Sequence, residues 1–162
     1  MADTNAISSS GTILSVSATL PATEDAAGYE ALTFTAVGEV TTIPEIGRNS
    51  DLITHTPVAD RKTYKLKGNY NDGALGLEMG RATDDAGQAI LVTARDSDDP
   101  IAFSITYNDD PGGTGSSPTI QYFQGLVMSY TTNTGDGNQV LGATCQVEIS
   151  GDILEIDKVV GT

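Results

Sequence analysis

Apolar positions along this chain recur mostly with a period of two. Residues 11–20, GTILSVSATL, place Leu14, Val16 and Ala18 on one face, as in a strand buried on one side; Ile13 breaks the alternation. Leu32, Phe34 and Ala36 alternate with Thr33, Thr35 and Val37, predicting a second strand that runs to about Val40. Residues 61–67 set Tyr64 and Leu66 on one face and Arg61, Thr63, Lys65 and Lys67 on the other. A turn over 68–73, with Asp72-Gly73 supplying a backbone that tolerates positive φ, leads into a return strand over 74–79 carrying Leu75 and Leu77. Further strands are expected at 101–107, at 120–131 with an irregularity near Gly125, at 141–149 and at 153–156.

One segment changes period. Residues 83–95, TDDAGQAILVTAR, predict the single good helix, with Thr83 or Asp84 as N-cap and acids in the first turn, where the helix dipole favours them. Its apolar stripe is expected to be Ala86, Ile90 and Ala94, edged by Ala89 and Val92. Strands, then a helix, then strands predict a mainly β fold: a β-sandwich or flattened barrel with one flanking α-helix and a long inter-strand loop. Residues 1–10 show no period and read as a flexible arm before a single domain over 11–162.

The loop, residues 41–60, holds Pro44, Gly47 and Pro57 yet also Ile43, Ile46, Leu52 and Ile53. Loops this long inside a compact domain are functional or disordered, and linkers rarely carry so many apolar side chains. The segment therefore reads as an ordered extension or long hairpin tip that buries those residues against a neighbouring subunit.

Composition agrees with β structure: 18 Gly, no Trp, and much Thr, Val and Ile among 162 residues. The formal charge is −14, from 22 acids and 8 bases. Groove binding to DNA needs clustered bases that displace counterions, so that class is excluded; an acidic surface suits a conduit along which DNA slides without sticking. Four of the eight bases fall within residues 61–67. On so acidic a chain, the stripe Arg61, Lys65 and Lys67 reads as a patch that meets acids on another copy, although Lys on an exposed edge strand also blocks unwanted pairing. No apolar run is long enough to span a bilayer, and MADTNAISSSG lacks the features of a leader peptide.

Chemistry is sparse. His55 is the one histidine and lacks the partners that acid–base or metal chemistry requires. Cys145, the one cysteine, excludes an internal disulfide and alternates with apolar neighbours, as a buried inert thiol does. The acidic clusters at 84–85, 96–99 and 108–110 suit helix ends and solvated turns; weak calcium binding is the other reading, but none matches an EF-hand loop. No enzyme and no cofactor are expected.

GTILSVS, the strand ALTFTAVGEVTTIPEIG, the segment Asp51-Leu52-Ile53-Thr54-His55-Thr56 and the turn YKLKGNYNDG follow one another in an order and spacing that resemble the major tail proteins (tail tube proteins) of long-tailed, non-contractile bacteriophages. The third resembles an Asp-x-Ile-Asp-x-Thr-type segment with Thr54 where an acid is common, and the fourth a Gly-x-x-Asp-Gly turn with Asn71 inserted. The resemblance covers most of the chain. It implies a β-sandwich subunit forming homohexameric rings stacked into a tube that delivers DNA. In that arrangement residues 41–60 are the inter-ring loop, with Ile43, Ile46, Leu52, Ile53, Thr54 and Thr56 at the stacking contact. The implied partners are further copies, a tape measure protein in the lumen, tail-tip and tail terminator proteins, and passing genomic DNA without specific binding. The implied location is the virion tail, assembled in the bacterial host cytoplasm. Glu39, Glu78 and Glu148 are the acids that strand parity offers to the lumen. A β-sandwich that binds carbohydrate or acts as an adhesin, and a tube protein of a related bacterial secretion system, are the alternatives.

Overall fold

The computed structural model describes residues 6–162. Its strands are β1 (Ile13–Ser17), β2 (Thr35–Ala36), β3 (Val40–Thr42), β4 (Asn49–His55), β5 (Tyr64–Asn71), β6 (Ala74–Gly80), β7 (Ile101–Thr106), β8 (Ile120–Asn133), β9 (Gly142–Ile149) and β10 (Leu154–Ile156). Two helices accompany them, α1 (Ala26–Glu30) and α2 (Ala86–Arg95). Eight strands form one antiparallel sheet in the order β2-β1-β7-β8-β9-β6-β3, with β10 also on β8. β4 and β5 form a separate two-stranded sheet. The fold is mainly β, a curled half-barrel flanked by a helix.

The curl follows from the chain path between β2 and β3. β2 pairs with β1 at one edge of the sheet and β3 pairs with β6 at the other. Only Val37, Gly38 and Glu39 separate them, and the four steps from Ala36 to Val40 span at most about 14 Å. The two edges must therefore approach, so the predicted single strand over 32–40 is broken at a seam. Glu39 makes the corner with φ 61, the one non-glycine residue with positive φ among those described.

The helix α2 seals this seam. Its N-cap is Asp85, whose carboxylate accepts from the backbone N–H groups of Gln88 (2.8 Å) and Gly38 (3.1 Å). The expected caps, Thr83 and Asp84, lie outside the helix, and no acid falls in its first turn. The buried face is Gly87, Gln88, Leu91 and Ala94, rotated from the expected stripe; Ala86 and Ala89 are exposed. The cause is Gln88, which is polar but fully buried. Its Nε2 donates to the carbonyls of Gly38 (3.0 Å) and Gly80 (2.8 Å), and its Oε1 accepts from Ala82 N–H (3.0 Å) and the Tyr130 hydroxyl (2.9 Å). A buried amide with every group paired holds a position that apolar periodicity cannot reveal.

Inside the curl, Leu14, Val16, Leu75, Leu77, Phe103, Phe123, Cys145, Val147 and Leu91 form the core. Phe103 and Phe123 stack at 5.1 Å. On the outer face of β7 and β8 a second cluster gathers Tyr29, Ala102 and Tyr122, with Tyr29 stacked on Tyr122 at 5.0 Å. This explains α1: Asp25 caps it, accepting from Gly28 N–H at 2.8 Å, and it carries Tyr29 over the sheet. Covered on both faces, Ile101–Ile105 are buried without alternation.

Two further expectations change. The irregularity in β8 sits between Val127 and Ser129, three residues beyond Gly125. Gly125 pairs with Ile101 on one side and Ile149 on the other, and a Cβ there would meet Val147 Cγ1 at 2.5 Å. Close packing, not a bulge, requires that glycine. The expected 61–79 hairpin does not form either. β5 pairs with β4, and β6 with β3 and β9, so Asp72-Gly73 is a corner between consecutive strands, with Gly73 at φ 88. Leu75, Leu77 and Met79 turn one face of β6 into the core, whereas β5 is exposed along nearly its whole length; the two strands have different surroundings and so different partners.

Candidate assembly surface

β4 and β5 make a hairpin that leaves the body, its register running Leu52↔Lys67, Ile53↔Leu66, Thr54↔Lys65 and His55↔Tyr64. Opposed residues share a face, and successive residues alternate. One face therefore carries Ile53, Leu66, Tyr64 and His55, and the other Leu52, Thr54, Lys65 and Lys67. Both faces meet water: Leu52 is 63% exposed, Leu66 59% and Ile53 49%. At the tip, Asp60 N–H bonds the Pro57 carbonyl at 3.1 Å, holding the fully exposed Val58 at the apex. The Thr56 and Thr63 hydroxyls meet across the strands at 3.0 Å.

The root is held electrostatically. Arg48 Nε donates to Asp72 Oδ1 at 3.0 Å and its Nη2 to Asp72 Oδ2 at 3.4 Å, while Nη2 also reaches Asp152. The guanidinium lies 3.9 Å from the centre of the Tyr70 ring. The Asp72 side chain is buried, so the corner between β5 and β6 is also the seat of the arginine. Hydrogen bonding to Asp72 raises the Arg48 pKa further, and the charge is permanent. Sequence reading singled out Asp72 and missed Arg48; the fork-shaped pairing of the two arises only in the fold.

The six residues proposed for a stacking contact separate into two groups. Ile43 and Ile46 pack against the core of their own chain. Leu52, Ile53, Thr54 and Thr56 lie in the hairpin and are exposed. Arg61, Lys65 and Lys67 lie on the hairpin or at its tip and are exposed. With Lys62, they have no ion-pair partner among the described residues.

Glu78 and Glu148 project from the outer face of β6 and β9, opposite Thr144 and Ala74. Their neighbours on that face are Gly76, Gln146, Ser129 and Thr131, which are small or polar, and the half-buried Leu126 opposite Glu148 in β8. β6 and β9 contain no Lys or Arg. Glu39 sits at the seam and lines a groove with Glu78.

The other candidate groups are taken up locally. Cys145 is fully buried, and burial pushes its thiol up to about 12. His55 lies exposed in β4 opposite Tyr64. Asp96 pairs with Arg95. Asp109 accepts from Thr119 N–H (2.8 Å) and the Thr119 hydroxyl (2.7 Å), which hold its carboxyl below the usual range. Among the described residues no three His, Cys, Asp or Glu side chains converge as a metal site, and no helix is long and apolar enough to cross a membrane. Of the expected arm, residues 6–10 are exposed, with the Ser10 carbonyl accepting from Asn108 Nδ2 at 2.8 Å; residues 1–5 lie outside the described part.

No family model and no curated protein matches the sequence. Solved structures do match in fold. A chain of the anti-feeding prophage baseplate aligns with a TM-score of 0.70 at 17% identity, over 96% of this chain and 97% of that one. The SPP1 tail tube aligns at 0.68 and 13% identity, over 96% and 81%. A chain of the sheath/tube terminator of an extracellular contractile injection system aligns at 0.68 and 10% identity, over 96% and 99%. These neighbours are tube, baseplate and terminator components, not enzymes. The fold of this chain, a half-barrel with a flanking helix, is thus similar to that of chains from a tail tube, a baseplate and a sheath/tube terminator.

Proposed function

We propose that this chain is a tube subunit of a phage tail: six copies join in a ring, rings stack, and the bore conducts genomic DNA. One observation carries the reading. A two-stranded hairpin is marginal alone in water, yet β4 and β5 expose Leu52, Ile53, Leu66 and Tyr64 while the Arg48–Asp72 pair fixes the root. Such a hairpin gains by lying against another copy. The outer face of β6 and β9, with Glu78 and Glu148 and no bases, suits a lumen along which DNA passes without adhering. A tape measure protein fills that lumen before DNA, tail-tip and terminator proteins close the ends, and assembly takes place in the host cytoplasm.

The likeness to contractile injection components favours a second reading, a tube of a bacterial injection system. Electron microscopy of the purified protein at high concentration, across a salt series, tests both. Hollow tubes or rings are expected; a uniformly monomeric field, even with its neighbouring tail proteins co-expressed, sinks both readings. Particles isolated from the native source separate the two: protected nucleic acid behind the tube indicates the phage, and a surrounding sheath with protein cargo indicates the injection system.

A further inference from the structure

The hairpin is the basic part of an acidic molecule. Residues 49–71 hold four bases and two acids, a net +2, which leaves −16 on the rest of the chain. Its apex carries Pro57, Val58 and Ala59, with Val58 fully exposed; Asp60 beside them accepts from the Tyr64 hydroxyl, and Arg61 and Lys62 lie just beyond. A surface of the opposite kind lies on the body, where α2 runs into β7. There Ala89, Ile90 and Thr93 of α2 face Ala18, Pro100 and Asp99 across a groove of about 400 Å³. The adjoining turn carries Asp98 and Asp99, neither with an ion-pair partner among the described residues. An apolar floor with unpaired acids at its rim complements an apolar knob flanked by unpaired bases.

The two surfaces do not meet within one chain. Val58 at the tip is fully exposed, and the groove between α2 and β7 stands open. We propose that the tip around Val58, Arg61 and Lys62 of one copy docks into the α2–β7 groove of the next, with Asp98 and Asp99 receiving its bases. The contact joins two different surfaces, so it is heterologous and propagates into a ring or a helical assembly rather than stopping at a dimer. The inference rests on the tube reading and names the partner of its hairpin.

Two experiments on the full chain test it. Reversing the tip with Arg61→Glu and Lys62→Glu, or the groove with Asp98→Lys and Asp99→Lys, is expected to raise the critical concentration for polymerisation at least tenfold. Combining all four is expected to restore it to within about threefold. Separately, the Val58→Cys, Thr93→Cys double variant, oxidised after assembly, is expected to give a ladder of cross-linked chains; Cys145 is buried and stays silent. Tubes that form at the wild-type threshold in both reversals, and that yield no ladder, overturn this contact and leave the tube reading standing. Wild-type protein that stays monomeric at every concentration and salt level, even with its neighbouring tail proteins co-expressed, overturns the tube reading and this contact together.

Discussion

Gln88 and Gly125 do work that their residue types conceal. Gln88 joins the β2–β3 link, the end of β6, the β6–α2 link and β8 through four hydrogen bonds, and replacing it with an apolar side chain orphans all four partners. Gln88→Leu is expected to destabilise the subunit by roughly 3 kcal/mol or more, since each buried group left unpaired carries its own desolvation penalty. Chemical denaturation measures this; a loss under 1 kcal/mol would mean that water replaces the amide. Gly125→Ala places a methyl against Val147 and Phe103 and is expected to cost about 1–3 kcal/mol, as overpacking does. Unchanged stability would show that β8 and β9 move apart freely at that point. The strand-interior glycine was legible as a signal in the sequence. Its cause was not, because the atoms it makes room for are distant in sequence.

At the scale of elements, the projecting hairpin separates folding from assembly. Ile43 and Ile46 belong to the core, so deleting residues 41–60 would remove core side chains and confuse the two. Replacing residues 50–70 with a two-residue turn is the cleaner cut: the thermal midpoint is expected to stay within a few degrees while polymerisation is lost. Tubes formed by that variant would refute an assembly role for the hairpin. Arg48→Ala is expected to leave the body intact and to speed amide exchange in β4 and β5 before any other element, since the pairing with Asp72 and the stacking on Tyr70 both go. Equal protection in the variant would show that strand pairing alone holds the hairpin. The alternation along β6, β7 and β9 announced those strands. It did not reveal which neighbour β5 takes, because pairing depends on which faces the body leaves uncovered.

For the whole molecule, charge sets the conditions of assembly. In the proposed ring of six copies the formal charge is −84, six times −14, so long-range repulsion would oppose ring stacking. Added salt screens charges more than about 8–10 Å apart and spares close, partly desolvated pairs, so moderate salt is expected to speed polymerisation. A rate that falls steeply from the first addition of salt contradicts this. Mild acidification acts in the same direction until the structural carboxylates titrate. Asp25 and Asp109 are held below the ordinary aspartate value by hydrogen bonds to Thr23 and Thr119. A depressed folded pKa contributes stability that is present above the unfolded value and lost as pH falls through the folded one. Assembly is therefore expected to improve on acidification toward about pH 5 and the subunit to weaken below about pH 4. Light scattering and circular dichroism across that range check both limits; a subunit that keeps its full stability at pH 2 would show that those carboxylates contribute nothing.

By itself the sequence determined the class of the molecule: a mainly β chain with one substantial helix, no catalytic constellation, an acidic surface and a basic stripe on one exposed strand. These follow from local periodicity and composition, which each strand carries on its own. Only the tertiary structure decided that residues 32–40 split across a seam, that α2 turns Gln88 inward, that Tyr29 covers a second face of the sheet, and that the segment 41–60 divides between core and hairpin. Each depends on contacts between residues far apart in sequence. Whether an apolar side chain such as Ile43 or Leu52 is buried is settled by the neighbour it meets, and a linear pattern holds no record of that neighbour.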